Sequence, residues 1–158
     1  MRAMFDPYVA WNDRDDEPTD PFARIPRARV LVAEDDPTMR EMVSARLRRD
    51  GCDVIEVGSG DEALCVMKVI AEHESSADDL ALVIMDVRMP GLSGLEVVYL
   101  LRTWRWNTPI LLMTAYPDPE LLAEGRRLGV PILAKPFRLS RLSEAAAIRA
   151  RPVAPEAA

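Results

Sequence analysis

The chain has 158 residues, a length typical of one globular domain with a core of its own. A net charge of −6, with no run of Lys and Arg longer than a pair, disfavours direct binding to nucleic acid, which needs a basic surface. No apolar stretch approaches the roughly 20 residues of a membrane span, and the N-terminus lacks the apolar segment of a signal peptide, so we expect a cytoplasmic protein without membrane contact.

The two ends of the chain differ in composition from its middle. Residues 1–27 carry six acidic residues and four prolines, which is typical of a flexible extension. Within it, Phe5, Tyr8 and Trp11 recur at every third residue, which leaves open that the segment docks as a short helix on a partner or on the chain's own domain. Residues 151–158 are rich in Pro and Ala, as expected of a disordered tail. The folded domain is therefore predicted to span residues 28–150.

Inside that domain, apolar runs of strand length alternate five times with helical patterns. The predicted strands lie at residues 30–33, 54–57, 80–85, 110–113 and 132–134. The predicted helices begin at or just after Asp36, Ser59, Ser93, Pro119 and Leu139. Pro37 suits the first position of the first helix, and Glu62 and Glu96 predict capping boxes at the second and third. The apolar stripe of the third helix is predicted to run to Trp104.

This alternation predicts an α/β fold, because parallel strands need crossover connections and those connections are right-handed. We expect a five-stranded parallel sheet with helices on both faces, a doubly wound (βα)5 arrangement. The flavodoxin-like strand order 2-1-3-4-5 is favoured over half of a Rossmann fold. Ligands of such a sheet bind at the carboxyl ends of strands one and three.

The cysteines and the histidine give no metal or disulfide signature. Cys52 and Cys65 lack CxxC spacing, so we expect two reduced thiols. His73 lies between Glu72 and Glu74 and is expected to be solvated. One histidine cannot assemble a metal site or a catalytic triad by itself.

Polar residues directly follow four of the predicted strands. Glu34 and Asp35 follow the first strand, Asp86 the third, Thr114 the fourth and Lys135 the fifth. A single Asp at a strand end is a common turn residue. Because the carboxyl ends of parallel strands share one edge of the sheet, the five residues together indicate a site.

Three carboxylates at one edge repel one another and raise each other's pKa unless a cation compensates them. A site with few protein ligands and space for water and phosphate fits Mg²⁺ better than Ca²⁺. With the ion bound, a carboxylate can attack a phosphoryl donor and form an aspartyl phosphate. Lys135 offers a positive charge to a phosphate oxygen, and Thr114 offers a hydroxyl donor.

At these residues the sequence resembles the receiver domain of two-component response regulators. The matching segments are Val-Leu-Val-Ala-Glu-Asp-Asp-Pro from Val30, Met-Asp-Val-Arg-Met-Pro-Gly-Leu-Ser-Gly from Met85, Leu-Met-Thr-Ala from Leu112 and Lys-Pro-Phe from Lys135. The resemblance spans residues 29–142 and implies a phosphorylation-dependent switch of the stand-alone, single-domain type. It also implies a phosphoryl donor, either a histidine kinase or a histidine phosphotransfer protein, and an output by protein–protein interaction.

The resemblance assigns a role to each site residue. Glu34 and Asp35 are the implied metal-binding acids, and Asp86 is the implied phosphoacceptor and third metal ligand. Further implied roles are a backbone carbonyl ligand from Arg88, a switching hydroxyl on Thr114, a phosphate contact from Lys135 and a cis peptide bond before Pro136. Enzymatic activity beyond Mg²⁺-dependent self-phosphorylation and autodephosphorylation is not expected.

The sequence departs from the family pattern at several positions. Glu34 replaces the commoner Asp, which lengthens one ligand, and the segment from Thr114 to Lys135 is one residue short. Ile132 stands where the family usually has an aromatic ring that swings inward with the Thr. We therefore expect Tyr116, two residues beyond Thr114, to gate access to the phosphoacceptor. The last helix lacks the charged pattern through which DNA-binding members dimerise.

Other functions are compatible with parts of this pattern. An aspartyl-phosphate hydrolase typically needs a second Asp at the position of Arg88, and a nucleotide switch needs a phosphate-loop Lys that Gly58-Ser59-Gly60 lacks. Two alternatives stay open, namely a phosphorylation-independent interaction module on the same fold and an intermediate of a phosphate relay.

Overall fold

Strands and helices alternate along the part of the chain that the computed structural model describes, residues 27–73 and 80–149. The strands are β1 (Arg29–Ala33), β2 (Asp53–Val57), β3 (Leu80–Asp86), β4 (Ile110–Thr114) and β5 (Ile132–Ala134). The helices are α1 (Pro37–Arg49), α2 (Gly60–Glu72), α3 (Gly94–Thr103), α4 (Pro119–Leu128) and α5 (Leu139–Arg149). None of the described helices is long and apolar enough to cross a membrane. Apart from Arg27, the predicted extension lies outside the described residues, as does the predicted tail.

The five strands form one parallel sheet in the order β2-β1-β3-β4-β5. This confirms the predicted doubly wound, flavodoxin-like architecture. The register aligns Ala33 with Met85, Asp86 with Met113, and Thr114 with Ala134. The carboxyl ends of β1, β3, β4 and β5 therefore lie side by side at one edge.

Two apolar layers cover the two faces of the sheet. The layer on the α2 side includes Leu31, Val83, Leu112, Met67 and Val98. The layer on the α1 side includes Val32, Ile84, Met113, Leu47 and Leu142. Consecutive residues of a strand point to opposite faces of the sheet, and helices cover both faces. Most residues of the central strands are therefore buried, and these strands appear in the sequence as continuous apolar runs.

Two of the predicted helix starts have the expected caps. The Asp36 carboxylate accepts from the backbone N–H groups of Thr38 and Met39 at the start of α1. Ser93 and Glu96 form a complete capping box at the start of α3. Both caps satisfy backbone N–H donors that the start of a helix leaves free, and so fix where α1 and α3 begin.

Two expectations about helix ends are wrong. The Ser59 hydroxyl accepts from the Glu62 N–H, but the Glu62 carboxylate accepts from Gly58 rather than Ser59, so the predicted box at α2 is only half formed. Trp104 does not extend the apolar stripe of α3. It is the residue after the helix and is 44% exposed, with the Lys68 ammonium 5.0 Å from its ring centroid. The periodicity predicted a buried Trp104, but the ring is at the surface, where it contacts the Lys68 ammonium.

Candidate functional site

The shared carboxyl edge of the sheet brings together the residues that the sequence singled out. Glu34 and Asp35 follow β1, Asp86 ends β3, Thr114 ends β4 and Lys135 follows β5. One carboxylate oxygen from each of Glu34, Asp35 and Asp86 lies within 4.8 Å of the others. The expected three-carboxylate cluster is therefore present in the structure.

The three carboxylates differ in their exposure to solvent. Glu34 is 1% exposed and Asp86 is 8% exposed, whereas Asp35 lies on the surface. The cluster is thus a shallow site whose floor is buried and whose rim opens to water at Asp35. A small ion can reach it from the solvent without opening the fold.

Lys135 binds the two buried carboxylates at once. Its Nζ donates to Glu34 Oε2 at 2.6 Å and to Asp86 Oδ2 at 3.2 Å. The peptide bond between Lys135 and Pro136 is cis, as the resemblance implies. Lys135 therefore bridges the end of β1 and the end of β3 from the far side of β4.

Burial raises the pKa of Glu34 to about 7, with repulsion from Asp86 adding to it, although hydrogen bonds from Lys135 and the Asp36 N–H act in the opposite direction. Burial of Lys135 opposes its charge, yet the hydrogen bond to Glu34 and the charge of Asp86 raise the pKa of the ammonium. One ammonium does not balance three carboxylates. The donor set, which consists of hard oxygens close together with solvent on one side, fits a Mg²⁺ ion.

Thr114 is buried beside this cluster and is tied to the loop that follows it. Its Oγ1 accepts from the Tyr116 N–H at 3.0 Å. Tyr116 is 60% exposed. The Arg88 guanidinium lies over its ring, with 4.3 Å between Arg88 Cζ and the ring centroid. Arg88 in turn donates its backbone N–H to Asp86 Oδ1 at 3.3 Å. A pocket of about 440 Å³ next to the site is lined by residues that include Arg88, Thr114 and Tyr116.

Ile132 lies away from the carboxylates, on β5. It is half-buried and packs against Gly125 of α4, where a Cβ would come within 2.7 Å of the isoleucine Cδ1. Its aliphatic chain thus joins strand and helix. The predicted roles of Ile132 and Tyr116 in switching, and that of the Arg88 carbonyl, stay predictions.

Two residues that shape the site were given no role in the sequence analysis. Arg40 of α1 donates from Nη1 to the Glu34 carbonyl at 2.7 Å and so holds the end of β1. Gly94 begins α3 so close to β3 that an added Cβ would lie 2.4 Å from the Asp86 carbonyl oxygen. A glycine directly after the Ser93 cap was the available signal for this close approach.

The fold and the site together define a class, a flavodoxin-like α/β protein with an acidic site at the switch point between β1 and β3. The family profile of the response regulator receiver domain matches residues 30–147. The chain belongs to this family of two-component signalling proteins.

Individual relatives agree with this assignment. The response regulator FleR of Pseudomonas aeruginosa is 37% identical over 116 residues, which are 73% of this chain and 23% of that protein. The chemotaxis protein CheY4 of Vibrio cholerae, crystallised at low pH, aligns with a TM-score of 0.66 and 31% identity over 78% of this chain and 98% of that one. The response regulator TrrA of Thermotoga maritima, in complex with Mg²⁺-BeF, aligns with a TM-score of 0.63 and 30% identity over 77% and 97%. The chain spans 57% or less of the first curated relatives that it matches.

Proposed function

We propose that this chain is a phosphorylation-dependent switch that accepts a phosphoryl group on Asp86 with bound Mg²⁺. One observation carries the proposal, namely that Asp86, at the carboxyl end of β3, lies in the carboxylate cluster with Glu34 and Asp35 and also within 3.2 Å of the Lys135 ammonium, at the switch point of the sheet. The TrrA structure supports it, because that relative holds Mg²⁺-BeF on the same fold.

In the proposed reaction an Asp86 carboxylate oxygen attacks the phosphorus of the donor. A new oxygen–phosphorus bond forms as the bond between phosphorus and the donor breaks. Glu34, Asp35 and Asp86 hold the ion, with the Arg88 carbonyl as a further proposed ligand. When bound, Mg²⁺ neutralises the charge that develops on the phosphoryl oxygens.

Lys135 and Thr114 are proposed to bind the transferred group. The Lys135 ammonium already lies between Glu34 and Asp86, so it reaches a phosphoryl oxygen attached to Asp86 with a small movement of Nζ. The Thr114 hydroxyl accepts from Tyr116 in the structure and turns toward the phosphoryl group as a donor. A covalently held phosphoryl group shifts the conformational equilibrium only through such differences in contact.

The proposed partners follow from this chemistry. A histidine kinase or a histidine phosphotransfer protein supplies the phosphoryl group, and a protein target reads the altered surface. The net charge of −6 disfavours direct contact with nucleic acid. The proposed catalytic activity is limited to self-phosphorylation and autodephosphorylation.

Intact-mass spectrometry after incubation with acetyl phosphate and Mg²⁺ tests the proposal. The wild-type chain gains the mass of one phosphoryl group, and Asp86→Asn gains none. Asp53→Asn is the matched control, because Asp53 is an exposed aspartate at the amino end of β2, whereas the site lies at the carboxyl ends of the strands. Labelling of this variant is expected to equal that of the wild-type chain. Labelling of Asp86→Asn at the wild-type level contradicts the assignment.

A further inference from the structure

An apolar groove lies on the α2 side of the sheet, and none of its lining residues belongs to the acidic site. It has a volume of about 360 Å³ and is lined by Ile55 of β2 and by Cys65, Val66, Val69 and Ile70 of α2. Val69 is 55% exposed and Cys65 is also on the surface. Within the described part of the chain, β2 pairs with β1 alone, so the groove runs along the open edge of the sheet. An apolar surface of this kind is typical of a contact site.

The composition of the chain points to one occupant. Residues 74–79 read Glu-Ser-Ser-Ala-Asp-Asp and offer no apolar side chain larger than alanine. Residues 150–158 offer one valine, and they follow α5, whose Leu142 packs on the opposite face of the sheet. Residues 1–26 carry the large apolar side chains Met1, Met4, Phe5, Tyr8, Val9, Trp11, Phe22 and Ile25.

The segment that precedes β1 enters the domain next to this groove. The backbone N–H of Asp53 donates to the Ala28 carbonyl at 3.0 Å, so the first residues of β1 and β2 are neighbours. Helix α2 runs antiparallel to the strands, from their carboxyl ends back to their amino ends. Val69 and Ile70, near the end of α2, therefore lie at the same end of the sheet as residue 27. The 15 residues from 12 to 26 span up to roughly 50 Å when extended, more than the width of the sheet.

We propose that residues 1–26 dock intramolecularly in the groove of Ile55, Cys65, Val66, Val69 and Ile70, with Phe5, Tyr8 and Trp11 supplying the apolar contact. The segment then covers the open edge of β2 as well as the exposed side of α2. An edge strand that is covered in this way is protected from pairing with other chains.

The Cys65 thiol reports directly on this contact, because it lines the groove. In a Cys52→Ala background it is the single thiol of the chain, and its reaction with a disulfide reagent such as dithiobis(nitrobenzoate) is followed by absorbance. Replacing Phe5, Tyr8 and Trp11 together by Ser is expected to accelerate the reaction at least about fivefold, the ratio for a segment docked some four-fifths of the time. Equal rates in the two chains overturn the proposal.

A double-mutant cycle separates docking from indirect effects. In a Val69→Asp background the triple Ser substitution is expected to leave the Cys65 rate unchanged, because the groove no longer binds apolar side chains. Met42→Asp is the matched background, because Met42 is a similarly exposed apolar residue on α1. There the triple Ser substitution is still expected to accelerate the reaction of Cys65. A persistent acceleration in Val69→Asp contradicts docking in this groove. Protection of Cys65 that grows with protein concentration assigns the groove to a second copy of the chain and also overturns the proposal.

Discussion

Asp35 and Asp36 are adjacent acids with different surroundings, and the difference separates the proposed metal binding by Asp35 from helix capping by Asp36. Asp35 contributes an oxygen to the carboxylate cluster, whereas Asp36 accepts two backbone N–H groups at the start of α1. We expect Asp35→Asn to weaken Mg²⁺ binding by at least about tenfold, because replacing even outer groups of a metal site has that effect. Isothermal titration calorimetry with MgCl₂ measures it.

Asp36→Asn is the matched control for this substitution. It removes the same charge one residue further on and keeps an oxygen that can cap the helix. Its Mg²⁺ affinity is expected to change much less than that of Asp35→Asn, since Asp36 is exposed to solvent and contributes no oxygen to the carboxylate cluster. Equal Mg²⁺ affinities of the wild-type chain and Asp35→Asn would contradict the proposal that the carboxylate cluster binds the ion.

At the same scale, the sequence predicted which residues meet but not how they bond. Lys135 and the acids were placed at one edge from strand ends alone, and the structure shows them there. The direct bond from Lys135 to Glu34 joins residues 101 positions apart, and no local pattern encodes such a pair. The contact of Arg40 with the Glu34 carbonyl could not be predicted either, because a helical Arg has many possible acceptors within its reach.

At the scale of elements, the approach of α3 to β3 depends on Gly94. An added Cβ would lie 2.4 Å from the Asp86 carbonyl oxygen and 3.2 Å from Leu112 Cδ2. Gly94→Ala is therefore expected to lower the free energy of unfolding by about 1–3 kcal/mol and to slow labelling of Asp86, whose backbone must shift. Urea denaturation and the acetyl phosphate assay measure the two effects.

Gly58→Ala is the control for this substitution. The only atom of the described residues within 4 Å of its added Cβ is Arg40 Nη1, at 3.4 Å, so the neighbour needs little or no displacement. It is expected to change stability by much less than Gly94→Ala and to leave the final labelling of Asp86 unchanged. A Gly94→Ala chain as stable and as reactive as wild type shows that the close approach is not needed.

The loop between β4 and α4 is the second element with a specific expectation. Thr114 accepts from the Tyr116 N–H, so a Thr114 that turns to a phosphoryl group releases Tyr116 and its contact with Arg88. Beryllofluoride, a phosphoryl mimic, is expected to shift the backbone amide resonances of residues 115–119 and of α4 more than those of β5. Ile132 stays packed on Gly125 and has no ring to swing. Shifts centred on Ile132 and Leu133, with Tyr116 silent, contradict this.

Local chemistry explains why the caps of α1 and α3 were more predictable than the end of α3. Asp36 and Ser93 accept hydrogen bonds from backbone N–H groups two or three residues further along the chain, so their capping can be predicted from the local sequence. Trp104 was assigned to the core because periodicity does not reveal that an exposed cation, Lys68, lies 5.0 Å from its ring.

At the scale of the whole molecule, the strand order followed from five alternating units and from the handedness of their crossovers. The apolar groove along β2 and α2 did not, because a surface depends on which faces the tertiary fold leaves open. Ile55 and Val69 are ordinary strand and helix residues in the sequence, and only their neighbours in space make them part of one groove.

Mg²⁺ binding is expected to stabilise the whole fold, because its three proposed carboxylate ligands come from the ends of two different strands and converge only in the native chain. An ion that binds the native state alone raises the free energy of unfolding by RT ln(1 + [L]/Kd), which is about 1.4 kcal/mol at ten times Kd. Urea denaturation with MgCl₂, compared with KCl of equal ionic strength, measures the effect free of general screening. Asp35→Asn should lose most of the gain at the same Mg²⁺ concentration, while Asp36→Asn should keep it. Equal stabilisation of all three chains means that the ion acts elsewhere on the surface.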